Sequence, residues 1–245
     1  RRDAAGAGIG YMTGNVPPRV AVLIAAAGSG RRVGGARNKV LLPLAGSPVL
    51  VRAVRVFQAH PAVERIGVIV REVDRGAVEL SFPAGSARAK LLPWIVGGAQ
   101  RQESVYNGLA ALAQAPPDWV LVHDGARPFC GAPLIDRVLA GLVAAAGAVP
   151  VLAVEDTVRR LHGGHSEVVE REGLYRTQTP QGFHWEALWA AHRMARERGL
   201  SATDDAQLLE ASGATLAFVE GEPTNVKLTT SADLSYGEWL LEREE

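Results

Sequence analysis

Four cations crowd a fifteen-residue stretch that holds no acid: Arg31, Arg32, Arg37 and Lys39 in "AAAGSGRRVGGARNK", residues 25–39. Gly28 and Gly30 lack the Cβ that would keep an anion away from the backbone N–H groups. Clustered Arg and Lys then neutralise several charges at once. A phosphate chain, most naturally a triphosphate, is the guest for such a loop. Two familiar phosphate loops fail on spacing. The dinucleotide fingerprint needs a third glycine where Val33 stands, and an acid about 20 residues on for the ribose. No Asp or Glu occurs between Asp3 and Glu64. The P-loop needs Lys and then Ser or Thr after its second glycine, but Ala36 and Arg37 follow Gly35. The plain alternative is a solvated basic loop in an Arg-rich chain.

Other polar residues offer chemistry at the ends of predicted elements. In "HDGARP", residues 123–128, Asp124 and Arg127 close a predicted strand. An acid there can hold a metal or a hydroxyl, or can simply stabilise a turn. In "GGAQRQES", residues 97–104, a second glycine turn precedes Ser104 at a predicted helix start, where capping is an equal explanation. Arg171, Thr179 and Lys227 lie in polar contexts. Lys227 is one of only three lysines beside 23 arginines, and it alternates with Val226 and Leu228 in a strand-like pattern. His162 and His165 flank Gly-Gly without a third ligand nearby, which reads as a hairpin tip rather than a zinc site. Cys130 has no evident catalytic partner, and no Ser/His/Asp or Cys/His set stands out. A phosphate oxygen on a substrate is already an anionic nucleophile. Such a reaction needs charge stabilisation and in-line positioning, not a general base.

The elements that must position these residues alternate. Strands are expected at "RVAVLIAAA", "RIGVIVRE", "AKLLPWIVGG" (interrupted at Pro93), "PDWVLVHDGARP" and "AVPVLAV". Helices are expected at "SPVLVRAVRVFQAH", with Ser47 as cap and Pro48 first, at "QESVYNGLAALAQA" and at "APLIDRVLAGLVAAAG". This order predicts a mostly parallel α/β sheet, with ligands beyond the carboxyl ends of its strands. Loops 27–39, 97–104 and 123–128 would meet there. Residues 156–178 lack a core-like face and read as a projecting arm, two strands around "HGGH". Later come helices at "HWEALWAAHRMARERG", "TDDAQLLEASG" and "SADLSYGEWLLEREE", and strands at "ATLAFVEG" and "TNVKLTT". Residues 1–18 read as a loose Gly/Pro-rich segment and 19–245 as one domain.

Composition narrows the function. The 245 residues are 47% hydrophobic with net charge zero and one cysteine. That excludes an internal disulfide framework and suggests a reducing, cytoplasmic compartment. No apolar run reaches the roughly 20 residues of a membrane helix. Residues 1–63 hold nine Arg or Lys and one acid, while the rest is net acidic. The pattern points to a local anionic ligand rather than a nucleic-acid track.

Six ordered stretches, "AAAGSGRRVGGARNK", "GGAQRQESV", "HDGARP", "EDTV", "REGLYRTQTPQ" and "TDDAQLLEASG…NVKLT", together resemble the 2-C-methyl-D-erythritol 4-phosphate cytidylyltransferase family. The resemblance runs from about Arg19 to Trp239. It implies a Rossmann-like nucleotidyltransferase sheet, a dimerising arm, and a reaction of CTP with Mg2+ or another divalent cation. The acceptor phosphate would attack the α-phosphate and release pyrophosphate. By resemblance, Arg32 and Lys39 stabilise the pentacovalent phosphorus. Ala26, Ala27, Gly28, Gly30, Gly98 and Ser104 contact the nucleotide. Asp124, Arg127, Thr157, Thr179, Thr203 and Lys227 form the methylerythritol phosphate site, with Asp124 also a possible metal ligand. Arg171 is similar to a residue donated across a homodimer, and Lys227 and Arg171 count with the catalytic set. Neither nucleic acid nor membrane is an expected partner. Ribitol phosphate is the rival acceptor, and a non-catalytic nucleotide-binding dimer is the rival class. Two departures stand out. Asn38 and Val40 flank Lys39 where the family usually has Pro and Gln, and Ala99 replaces a frequent acid.

Overall fold

A computed structural model describes residues 16–28, 38–83, 85 and 88–243. Gly30, Arg31, Arg32 and Arg37, and the loose segment expected over 1–18 except for its last three residues, lie outside the described residues. The chain begins with β1 (Val20–Ala25), an unbroken apolar run buried on both faces, as an internal parallel strand requires. A single 3-10 turn follows at Lys39–Leu41. Two short strands, β2 (Pro43–Leu44) and β3 (Ser47–Pro48), pair around a turn in which Ala45 and Gly46 have φ 43° and 74°. Ser47 is therefore in a strand, not a cap. Helix α1 (Val49–Ala59) has Pro48 as its N-cap residue and no side-chain cap.

Next come β4 (Val63–Val70), a 3-10 turn at Glu72–Asp74, α2 (Arg75–Ser81), β5 (Ile95–Val96), α3 (Arg101–Leu112), β6 (Trp119–Asp124), α4 (Ala132–Gly141) and β7 (Gly147–Ala153). Pro93 does interrupt the third predicted strand: Leu91 makes only an isolated bridge to Ile66, and pairing resumes at Ile95. The polar stretch forms β8 (Val158–His162) and β9 (His165–Val169), an exposed hairpin turning at Gly163 and Gly164, both with positive φ. Then follow β10 (Tyr175–Thr177), β11 (Gln181–His184), α5 (Trp185–Arg198), α6 (Asp205–Ala211), β12 (Leu216–Glu220) and α7 (Ser231–Leu241). "TNVKLTT" is not a strand. Residues 225–229 have no regular structure. Helix α2 and strand β11 are additions that periodicity did not expose.

The sheet runs β10-β7-β11-β6-β1-β4-β5, with β12 also paired to β7. Strands β6, β1, β4 and β5 are parallel, as are β7 and β12, while β10 and β11 run antiparallel to β7. One apolar layer packs α1 and α4 against one face, including Phe57, Leu134 and Val138. The other packs α3, α5 and α6 on the opposite face through Leu109, Leu188 and Leu209. The chain leaves β1 toward β4 and later returns to its other side as β6. That reversal opens a crevice at the carboxyl end of β1, the usual ligand position in such sheets.

Candidate active site

A cavity of about 500 Å³ occupies this crevice. Its wall includes residues 25–28 at the end of β1, 38–40 in the following turn, Arg71 after β4, 98–101 and Ser104 at the start of α3, Asp124 and Ala126 at the end of β6, and Lys227. The strand ends are fixed to one another. Ala26 N donates to Ile69 O (2.8 Å), Gly97 N to Val70 O (2.8 Å), and Gly125 N to Ala25 O (3.0 Å).

Ser104 is not the cap of α3; Gln100 is the N-cap residue, without a side-chain bond. Instead Ser104 Oγ accepts from Gly98 N (3.0 Å) and donates to Gln100 O (2.9 Å), folding the glycine turn against the helix. Glu103 Oε2 accepts from Ala99 N (2.7 Å). The amides of 98 and 99 are thus engaged within the turn. The loss of an acid at Ala99 is accompanied by an internal bond from its backbone.

Asp124 forms the charged centre. Its Oδ2 lies 2.8 Å from Lys227 Nζ and 3.6 Å from Arg127 Nε, and its Oδ1 lies 3.8 Å from Arg101 Nε. Burial would push this carboxyl up, but Lys227, Arg101 and Arg127 prevail and hold it well below the usual carboxylate range. Asp124 is therefore an anion at neutral pH, with its oxygens facing cations. Arg101, which the sequence reading did not single out, also lies 2.7 Å from Asp205 Oδ2. Asp205 Oδ1 is 3.0 Å from His192 Nε2, and both of those side chains are almost wholly buried. The Asp205 carboxyl is held low against its burial, first by Arg101. Burial opposes the charge on Arg101, yet Asp205 and Asp124 leave its pKa raised.

Lys227 reaches Asp124 without a strand. Arg127 Nη1 donates to Asn225 O (2.7 Å), Leu228 N to Ala126 O (2.8 Å), and Asn225 Nδ2 to Thr179 O (2.8 Å). These bonds hold segment 225–228 to the loop after β6. The alternation of Leu228 inward and Lys227 outward comes from this attachment, with Leu228 buried and the Lys227 side chain 42% exposed.

Thr179 supports the site from beneath. Between β10 and β11 the pairing with β7 shifts by two residues, and the extra residues bring Thr179 to the end of β6. Its Oγ1 accepts from Asp124 N (3.0 Å) and lies 3.2 Å from His123 Nδ1. His123 Nε2 is 3.0 Å from Arg127 O. Burial lowers the pKa of His123 to about 4, so the ring is neutral at neutral pH. The bonds are mutually satisfied if Nε2 carries the proton and Thr179 donates to Nδ1.

The cavity thus brings together Ala26, Ala27, Gly28, Lys39, Gly98, Ser104, Asp124 and Lys227 among the expected residues. Arg127 and Thr179 stand behind Asp124. Thr203 is exposed beside α6, where its N donates to Gln207 Oε1 (2.9 Å). Thr157 and Arg171 are exposed at the base of the hairpin and do not line the cavity, and Arg171 Nη1 donates to Glu155 O. Arg32 and Gly30 lie outside the described residues.

Residues 20–243 match the family model of IspD, 2-C-methyl-D-erythritol 4-phosphate cytidylyltransferase. The chain is 46% identical over 227 residues to the bifunctional enzyme IspD/IspF of Rhodospirillum rubrum, spanning 92% of this chain and 58% of that protein. It is 42% identical over 224 residues to the 2-C-methyl-D-erythritol 4-phosphate cytidylyltransferase of Synechococcus elongatus, covering 91% and 96% respectively. The crystal structure of the enzyme of that name from Thermus thermophilus aligns with a TM-score of 0.74 at 36% identity, over 90% of this chain and 98% of the other. The fold, the cation-ringed cavity and these relatives agree: the chain belongs to the 2-C-methyl-D-erythritol 4-phosphate cytidylyltransferase family.

Proposed function

We propose that the chain transfers the cytidylyl group of CTP to 2-C-methyl-D-erythritol 4-phosphate, giving 4-diphosphocytidyl-2-C-methyl-D-erythritol and pyrophosphate. The observation that carries the reading is the cavity itself, in which Arg101, Arg127 and Lys227 face one buried carboxylate and Lys39 lines the wall beside two small-residue turns. The walls of 26–28 and 98–101 bound the part of the cavity assigned to the base and ribose. Lys39 and Arg32 are assigned to the α-phosphate, where charge builds as the acceptor oxygen attacks. Lys227 is assigned to the acceptor phosphate; Arg127 and Thr179 stand behind Asp124 on the acceptor side, while Thr157 and Thr203, assigned to the acceptor by resemblance, lie outside the lining of their own chain's cavity. Asp124 accepts from its hydroxyls, a role suited to a carboxylate that stays ionised. Thr179 acts through Asp124 rather than by direct contact.

Among the described residues no three His, Cys, Asp or Glu side chains gather as a metal site. Asp124 already faces three cations, so these residues do not fit a protein-held ion. A divalent cation belongs with CTP, whose triphosphate oxygens are the hard ligands it prefers. We assign the hairpin a dimerising role. Its exposed Leu161 and Val168, and the position of Arg171 outside the lining of its own cavity, support donation of Arg171 to a second copy. Among the described residues no helix is long and apolar enough to cross a membrane. We place the enzyme in the cytoplasm.

The deciding assay is pyrophosphate release with CTP, Mg2+ and each polyol phosphate. Release with methylerythritol phosphate is expected. Release with ribitol phosphate alone would replace the acceptor, and CTP binding without release would favour a nucleotide-binding dimer.

A further inference from the structure

Asn38 immediately precedes Lys39 and is 1% exposed. Its amide is fully employed. Nδ2 donates to Ala26 O (3.0 Å) and to Asp74 Oδ2 (2.8 Å), and Oδ1 accepts from Val40 N (3.3 Å), capping the one-turn helix that begins at Lys39. Asp74 is gripped in turn by Arg71, with Nε 2.6 Å from Oδ2 and Nη2 2.9 Å from Oδ1. One buried side chain therefore joins three parts of the cavity wall: the end of β1, the turn carrying Lys39, and the turn after β4 from which Arg71 lines the cavity.

The backbone of Asn38 adds a second observation. Its φ of −62° is the value a proline ring would fix, and its ψ of 127° is an extended value that proline also adopts. A proline at this position, usual in the family, is compatible with that φ. The restraint is supplied by hydrogen bonds instead of a covalent ring.

We propose that Asn38 is a positioning residue for cytidylyl transfer: with Asp74 and Arg71 it forms a buried latch that fixes the Lys39 turn against the ends of β1 and β4. The proposal rests on the reading of Lys39 as a stabiliser of the transferring phosphorus. A charge that acts on a developing transition state is sensitive to small displacements, since misplacement by about 1 Å costs on the order of a hundredfold. The latch thus acts on turnover rather than on nucleotide affinity.

The test compares Asn38→Ala, Asn38→Pro, Lys39→Ala and the Asn38→Ala/Lys39→Ala double variant. Steady-state pyrophosphate release and thermal midpoint are measured for each. Asn38→Ala is expected to lower kcat about tenfold or more with the KM for CTP within about threefold. Asn38→Pro is expected to recover turnover to within about threefold of the parent, because its ring sets the same φ. In the Lys39→Ala background, Asn38→Ala should change kcat by less than about twofold, since its effect passes through Lys39. The proposal is overturned if Asn38→Ala raises KM alone, if a folded Asn38→Pro is as slow as Asn38→Ala, or if the two losses multiply. Should Asn38→Pro fail to fold, the double-variant comparison decides. An inactive parent chain would remove the reaction reading and this proposal with it, while an active parent with a fully active Asn38→Ala removes the proposal alone.

Discussion

At the residue scale, burial turns ordinary side chains into fixed parts. His123 is packed edge-on to Phe57, with ring centroids 4.8 Å apart, and both of its nitrogens lie near partners. Its pKa of about 4 has a consequence for stability. Between pH 6.5 and 4 the unfolded chain protonates this ring and the folded chain does not. Unfolding then takes up a proton, so stability falls as pH falls, by up to about 1.4 kcal/mol per pH unit from this one group. His60, also lowered first by burial, acts in the same direction. The depressed carboxyls of Asp124 and Asp205 lose their contribution only further down, below the ordinary carboxylate range. Urea midpoints measured from pH 7 to 4.5 should therefore decline in this window, and His123→Gln should flatten the decline. An equal slope in the variant would show that His123 is protonated in the folded chain.

At the scale of elements, the site depends on how closely its turns approach. A Cβ added at Gly97 would lie 2.4 Å from Ala27 Cβ and 2.9 Å from Ser104 Oγ. Ala27 is a rigid neighbour, so the turns after β1 and β5 would have to separate. Gly97→Ala is expected to cost about 1–3 kcal/mol, as overpacking does, and to weaken CTP binding. A chemical-unfolding midpoint and a CTP titration check this, and unchanged values in both would refute it. The same closeness explains what could be read from sequence. Strands β1, β4 and β6 were legible because unbroken β-branched and aliphatic runs have few other uses. The convergence of loops 27–39, 97–104 and 123–128 followed from strand order. Arg101 was missed because "GGAQRQES" reads locally as a turn and a cap. Its function comes from Asp124 and Asp205, 23 and 104 positions away. Strand β11 was hidden by its shortness and by the shift at residues 178–180. "TNVKLTT" misled because alternation reports which side is wet, and here a hydrogen bond from Leu228 N to Ala126 O and one from Arg127 to Asn225 O, rather than a sheet, impose it.

At the scale of the whole molecule, the hairpin has no core to stabilise and so needs another explanation. Along β8 and β9 every residue from Arg159 to Val168 is exposed, including Leu161 at 76%. An exposed two-stranded ribbon is marginal alone and is stabilised by packing against something. If that surface is a second copy, each active site combines the basic loop of one chain with the arm of the other. The arrangement makes a specific complementation possible. A chain with Arg171→Ala keeps its loop and loses its arm, while a chain with Arg32→Ala does the reverse. Each homodimer of these variants has two damaged sites. A heterodimer has one site with both changes and one site with neither. Random mixing makes about half of the dimers heterodimers, so about a quarter of all sites regain parental residues. Pyrophosphate release should accordingly rise from near zero toward about a quarter of the parent's rate after the two variants are unfolded, mixed and refolded together. Native mass spectrometry of the mixture confirms that heterodimers have formed. Heterodimers without recovered turnover would place Arg171 outside the partner's site and leave the hairpin a purely structural contact.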